Sequence, residues 1–133
     1  MSVRYLMDTN ICSELIKNPQ GQVAQKLFQV GTHLVSINWV VEAELRFGAA
    51  LKNSPVLTPR VNALIGEINH IEFDDGLIEQ YVRIRKQLTQ TGQMIGANDL
   101  WIAAHACALD MCLVTRNTDE FSRVEGLVLE SWL

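Results

Sequence analysis

The sequence predicts an α/β fold with a parallel sheet and helices on both of its faces. Two observations carry that expectation. Short apolar runs of strand type alternate with longer stretches of helical period, which implies repeated strand–helix–strand units. Polar or acidic residues also follow the carboxyl ends of the apolar runs, most clearly in Val3-Arg4-Tyr5-Leu6-Met7-Asp8-Thr9-Asn10. In open sheets of this kind, ligands bind in the crevice outside those ends.

Bulk properties narrow the class. A chain of 133 residues suits one compact domain over residues 1–133, and 48% hydrophobic residues excludes a disordered chain. No apolar run approaches the roughly 18 residues that span a bilayer. Arg4 breaks the first apolar stretch and Asp8 ends it, so no signal peptide is expected and the location should be cytoplasmic. Cys12, Cys107 and Cys112 are odd in number, form no CxxC and lack zinc-ligand spacing, so buried reduced thiols are expected. A net charge of -4 argues against a broad basic face for duplex nucleic acid. It leaves room for contacts made through divalent cations or a local basic rim.

The first strand, Val3 to Met7, is mostly apolar. Asp8 at its end is expected to be solvent-facing and able to hold a cation, although an Asp there also suits a helix cap. Thr9 or Asn10 can cap a helix to about Lys17, which Asn18-Pro19 ends. A second helix runs from about Gln20 to Val30 and stops at Gly31. His33 to Ser36 is a strand candidate. From Asn38 to about Lys52 the helical phase puts Val40, Ala43, Phe47 and Leu51 on one apolar side, with Glu44 in its middle and Glu42 nearly opposite. A carboxylate on a buried stripe is costly unless paired or metal-bound, so Glu44 requires a role.

Thr58-Pro59 starts another helix, running to about Asn69, and Ile71 to Phe73 is a strand candidate. Asp74-Asp75 open a long helix to about Thr91, closed by Gly92, with Leu77, Tyr81, Ile84 and Leu88 as its core face. Its Arg83, Arg85 and Lys86 form either a solvated face or an RNA-facing rim. The next helix starts near Asn98 and holds Asp99 in its first turn, where the dipole favours negative charge. Ile102, Ala103 and Ala106 lie on that side, and small residues there allow close packing. His105 points away from Asp99 and is expected to be structural. Cys112 to Thr115 is a strand followed by the polar run Arg116 to Glu120, and Leu127 to Leu129 closes the sheet.

Asp8, Glu44, Asp99 and an acid near Asp119 are therefore expected to converge on one site. Carboxylates without His or Cys neighbours suit Mg²⁺ or Mn²⁺ rather than Zn²⁺, and such ions serve phosphodiester cleavage. Nucleophile elbows, phosphate-binding loops and dinucleotide fingerprints are absent from the sequence. Like charges brought together repel, so a bound cation should also stabilise the fold.

Four segments in order resemble the PIN-domain ribonucleases, and more specifically VapC toxins of type II toxin–antitoxin pairs. They are Leu6 to Asn10, Ala43-Glu44-Leu45 with Gly48, Gly96 to Ala106, and Val114 to Thr118 leading to Phe121. The resemblance implies a three-layer α/β/α sandwich and Mg²⁺-dependent endonucleolytic cleavage of RNA, often tRNA or ribosomal RNA. It also implies a homodimer and neutralisation by a VapB-type antitoxin. Asp8, Glu44 and Asp99 match the family's acidic metal-binding positions. At the fourth position the chain offers Asn117, Asp119 and Glu120. Asn10, Asn98, Thr115, Arg116 and Asn117 flank these acids and are expected to contact the substrate. Two other classes compete: a catalytically silent PIN-like module that binds RNA or protein, and a receiver-like phosphoacceptor. The latter wants Lys at a late strand end, where this chain has Thr115-Arg116.

Overall fold

The computed structural model describes residues 2–133. Five parallel strands form one sheet in the order β3-β2-β1-β4-β5. The strands are β1 (Tyr5–Met7), β2 (Val35–Ile37), β3 (Asn69–His70), β4 (Cys112–Val114) and β5 (Leu129–Glu130). Leu6 and Met7 point to opposite faces and both are buried, as are Val35, Ser36 and Ile37, and Cys112, Leu113 and Val114. Burial on both faces is what a sheet covered by helices on each side requires. The three-layer α/β/α arrangement is thus confirmed.

The helices are α1 (Thr9–Lys17), α2 (Gln22–Val30), α3 (Trp39–Lys52), α4 (Leu57–Glu67), α5 (Asp75–Thr91), α6 (Ala97–Ala108) and α7 (Thr118–Phe121). Their ends follow local chemistry. The Asp74 carboxylate accepts from Gly76 N–H at 2.6 Å to start α5, and Gly92, left-handed at φ 67°, ends it. Ser54 Oγ accepts from the N–H groups of Val56 and Leu57 at the start of α4. Leu77, Ile84 and Leu88 of α5 are fully buried, with Tyr81 half-buried beside them.

Several boundaries differ from the sequence expectation. Asp8 itself caps α1, in place of Thr9 or Asn10: its Oδ1 accepts from Ile11 N–H at 3.0 Å. The second helix begins at Gln22, after a turn closed by Gly21 N–H to Asn18 O. Thr32–Leu34 form a 3₁₀ turn, so β2 starts two residues later than expected and extends to Ile37. β3 is Asn69–His70 rather than Ile71 to Phe73, because those three apolar and acidic residues leave the sheet after Ile71 N–H bonds Ile37 O. β5 starts at Leu129, whereas Val128 is exposed.

The largest correction concerns α3. Its buried stripe is Val40, Val41, Leu45 and Ala49, whereas Ala43, Phe47 and Leu51 are exposed. Apolar identity alone placed the stripe about one residue out of phase. Glu44 lies on one shoulder of the true stripe and Glu42 on the other, both half-buried. Glu42 pairs with Arg46 at 2.9 Å and faces His70 at 3.4 Å, as a surface acid does.

All three cysteines are free: Cys12 and Cys112 are buried, while Cys107 is only half-buried. Among the described residues, no helix is long and apolar enough to cross a membrane.

Candidate acidic site

From β1 the chain builds β2 and β3 on one side, then crosses back to lay β4 and β5 on the other. The strand order therefore reverses between β1 and β4, and a crevice opens there at their carboxyl ends. Met7 pairs with Val114, and Asp8 N–H continues the ladder to Val114 O at 3.1 Å. This register sets Asp8 beside Thr115 at the mouth of the crevice.

Asp8 is not solvent-facing as expected; it is 4% exposed. Burial raises its pKa, and the charge of Glu44 adds to the rise. The Thr115 hydroxyl, the Ile11 N–H and Arg116 work in the opposite direction. Thr115 is itself buried, and its Oγ1 accepts from Asn117 N–H at 2.9 Å. That short side-chain turn swings the chain out of β4 towards α7.

Glu44 reaches the crevice from α3. Thr9 Oγ1 donates to its Oε1 at 2.5 Å and Asn98 Nδ2 to its Oε2 at 3.4 Å. Asp99 stands in the first turn of α6. Its carboxyl is pushed up to about 6, first by burial, then by the negative charges of Glu120, Glu44 and Asp8. Four acids from four elements thus act on one another.

The fourth acid is Glu120. Its Oε1 accepts from Gly96 N–H at 3.3 Å, and Asn117 Nδ2 donates to its Oε2. Asp119, one residue earlier, is exposed and only its backbone carbonyl is engaged, by Ser122 Oγ. Of the three candidates, Glu120 carries the charge at the site, Asn117 orients it, and Asp119 lies outside. Arg116 is exposed and pairs with Glu14 at 3.4 Å, near enough to Asp8 to lower its pKa. Asn10 is exposed at the start of α1.

His105 is structural, as expected. It is fully buried; Nε2 meets Glu72 O at 2.9 Å and Nδ1 meets the Asn38 amide at 3.3 Å. A carbonyl only accepts, so the proton sits on Nε2 and Nδ1 accepts from Asn38. Burial lowers its pKa, in keeping with this neutral form. Asn38 Oδ1 in turn caps α3 through Val41 N–H.

Thr9 was overlooked as a site residue. Its place between Asp8 and Asn10 was visible only as a possible helix cap, and its bond to Glu44 spans 35 residues of sequence.

The family model for the PIN domain matches residues 5–127. The chain belongs to the PIN-domain family. Within that family it is similar to the VapC ribonucleases along almost its whole length. Ribonuclease VapC2 of Rickettsia felis is 34% identical over 130 residues, which cover 96% of this chain and 97% of that protein. The tRNA(fMet)-specific endonuclease VapC of Shigella flexneri is 32% identical over 131 residues, 98% of each chain. The PIN fold here matches the crystal structure of VapBC2 from Rickettsia felis, bound to a DNA fragment from its promoter. The TM-score is 0.88 at 31% identity, with 98% of this chain and 100% of that one covered.

Proposed function

We propose that this chain is the toxin of a VapBC-type pair, an endoribonuclease that cuts tRNA or ribosomal RNA with the help of Mg²⁺. The single observation that carries the reading is the convergence of Asp8, Glu44, Asp99 and Glu120 at the point where the strand order reverses. VapC relatives named as ribonucleases, one of them a tRNA(fMet)-specific endonuclease, support the substrate class.

The donor set fits a hard divalent cation: its groups are all carboxylate oxygens, and burial together with the charges of Glu120, Glu44 and Asp8 disfavours the ionised state of Asp99 until a cation joins them. Among the described residues, no three His, Cys, Asp or Glu side chains already stand close enough to hold a metal ion. Glu44 and Glu120, on longer and more rotatable stems, would have to swing towards Asp8 and Asp99. When bound, Mg²⁺ supplies charge stabilisation to the scissile phosphate and acidity to a bound water. The chain's own residues hold the geometry. Asp8 is fixed by its cap bond to α1, Thr9 and Asn98 steer Glu44, and Gly96 with Asn117 steers Glu120. In this reading Arg116, exposed at the rim, and exposed Asn10, Asn98 and Asn117 would meet RNA phosphate and ribose. Mn²⁺ satisfies the same donors.

A VapB-type antitoxin is the partner this reading requires, and neighbours solved as VapBC complexes support it. An apolar groove between α1, α3 and α4, floored by Ile16, Leu45 and Val61, opens beside Thr9 and Glu44 and offers it a seat.

The test is cleavage of total RNA by purified protein with and without Mg²⁺. The Asp8→Asn variant is expected to lose cleavage, by at least about 100-fold, while keeping its circular dichroism. Cleavage by folded Asp8→Asn at the native rate, or a native rate in excess chelator, would overturn the proposal.

A further inference from the structure

Two buried polar side chains lie outside the acidic crevice, yet they join the elements that build it. Ile102 to Ala106 of α6 are all fully buried, and His105 is polar among apolar neighbours. Asn38, the cap of α3, is equally buried. Burying an amide and an imidazole is costly unless their polar atoms find partners. Val41 N–H donates to Asn38 Oδ1 at 3.0 Å, Asn38 Nδ2 to His105 Nδ1 at 3.3 Å, and His105 Nε2 to Glu72 O at 2.9 Å. The donors all point one way, from α3 through α6 to the loop after β3, and bonds in such a series polarise one another. An apolar pair of the same shape would be about as stable. What the polar pair adds is direction, because its bonds hold in only one mutual placement of α3 and α6.

The same two helices meet again at the crevice, where Asn98 Nδ2 of α6 donates to Glu44 Oε2 of α3 at 3.4 Å. From Asn38 to Glu44 the rise along α3 is about 9 Å, and from His105 back to Asn98 the rise along α6 is about 10 Å, at about 1.5 Å per residue. The two spans match. Asn38–His105 and Glu44–Asn98 are therefore two rungs between helices that run in opposite directions here. The second rung is exposed and long, so it does little alone to hold Glu44. The first is buried and fully paired, and it anchors the helix that carries Glu44.

We infer that Asn38 and His105 are positioning residues of the acidic site: their buried bond sets α3 against α6 and thereby sets the spacing of Glu44 from Asp99. Both are fully buried, so they act through the helices and not on RNA. The inference rests on the nuclease reading and says how its site is kept in register.

The two ring nitrogens of His105 can be tested separately. In His105→Asn the amide oxygen stands near the place of Nδ1 and can still accept from Asn38, while the bond to Glu72 is lost. In His105→Gln the amide nitrogen stands near the place of Nε2 and can still donate to Glu72, while the bond to Asn38 is lost. Asn38→Ser keeps a cap for α3 but is too short to reach His105. Circular dichroism checks that each variant folds. Two readouts follow: Mg²⁺ affinity by calorimetry without RNA, and RNA cleavage at saturating Mg²⁺. His105→Gln and Asn38→Ser should each weaken Mg²⁺ binding about 10- to 100-fold and lower kcat by a similar factor, with KM for RNA little changed. His105→Asn should lose less than about tenfold in either, although it too gives up a buried bond. The double variant Asn38→Ser/His105→Gln should be no worse than the single variants, because both remove the same rung. If a ring substitution unfolds the chain, Asn38→Ser carries the test on the same two readouts. Native Mg²⁺ affinity and kcat in folded Asn38→Ser or His105→Gln overturn the inference and leave the nuclease reading standing, as do equal losses in His105→Asn and His105→Gln. A native chain that neither binds Mg²⁺ nor cuts RNA overturns the nuclease reading, and this inference with it.

Discussion

Asp8 shows how one carboxylate serves fold and site together. Its Oδ1 caps α1 through Ile11 N–H, while its charge is raised in energy by burial and by Glu44. Asn keeps the cap and removes the charge, so Asp8→Asn should retain stability. Asp8→Ala should lose about 1 kcal/mol for the missing cap, read as a shift in urea midpoint. Equal stability of the two variants would refute the cap as a stabilising contact. Asp99 makes a different, pH-dependent prediction. Its carboxyl is raised from 3.8 to about 6, so the folded protein holds that proton more tightly than the unfolded chain. Below about 3.8 both states are protonated and the residue costs nothing. As pH climbs through 6, the folded state must carry a charge its surroundings disfavour, and stability falls. In chelator, Asp99→Asn should therefore be more stable than the native chain at pH 7 to 8, by about 1 kcal/mol once solvent screening of this half-buried group is discounted. The gain should vanish by pH 4. A gain of equal size at both pH values would mean that charge is not its cause. Asp8 and Asp99 were legible as candidates because one follows a strand end and the other opens a helix, whereas Glu44 was singled out on an apolar stripe that the structure moves. The choice among Asn117, Asp119 and Glu120 was not legible, because a helix of four residues shows no period by which to orient them.

Phase was the weak point at the scale of the element. The sequence places a helix from Asn38 to about Lys52, close to α3 at Trp39–Lys52, but Val40, Ala43, Phe47 and Leu51 are apolar for two unrelated reasons. Val40 is core; Ala43, Phe47 and Leu51 are surface, and Phe47 is 68% exposed. The contrast drawn between Glu44 and Glu42 survives on different grounds. Glu44 is held by Thr9 and Asn98 in the crevice, and Glu42 by Arg46 and His70 outside it. Glu44→Gln should cut the cleavage rate by at least about tenfold. Glu42→Gln should leave cleavage within about twofold and change stability by less than about 1 kcal/mol, the worth of exposed ion pairs. A larger loss of rate in Glu42→Gln would reverse the assignment. The strand boundaries drifted because strands of two or three residues are too short for alternation to show. β2 was displaced by the 3₁₀ turn before it, and β3 by apolar residues that pack outside the sheet.

The parallel sheet, and with it the edge that carries the candidate site, was legible for the whole molecule. Alternating strands and helices implied the parallel sheet, and parallel connectivity alone puts every strand's carboxyl end on one edge. What no local pattern contains is the strand order β3-β2-β1-β4-β5, which depends on pairing between segments far apart in sequence, such as Tyr5 with Cys112. That order makes Asp8 and Thr115 neighbours, and it draws acids from α3, α6 and α7 towards them. The arrangement stores repulsion across the sheet edge, and its release should be visible in the stability of the entire fold. A cation that binds only the folded chain adds RT ln(1 + [Mg²⁺]/Kd), about 2.7 kcal/mol at one hundred times Kd. For a chain of this size that should raise Tm by roughly 5–15 °C. The increment should grow with the logarithm of Mg²⁺ concentration, disappear in excess chelator, and be nearly absent in Asp99→Asn. It should persist in Glu42→Gln, whose ion pairs lie outside the crevice. NaCl at matched ionic strength controls for general screening, which a net charge of -4 makes a real contributor. If Mg²⁺ and matched NaCl shift Tm equally, the four acids do not form a cation site, and their convergence needs another explanation.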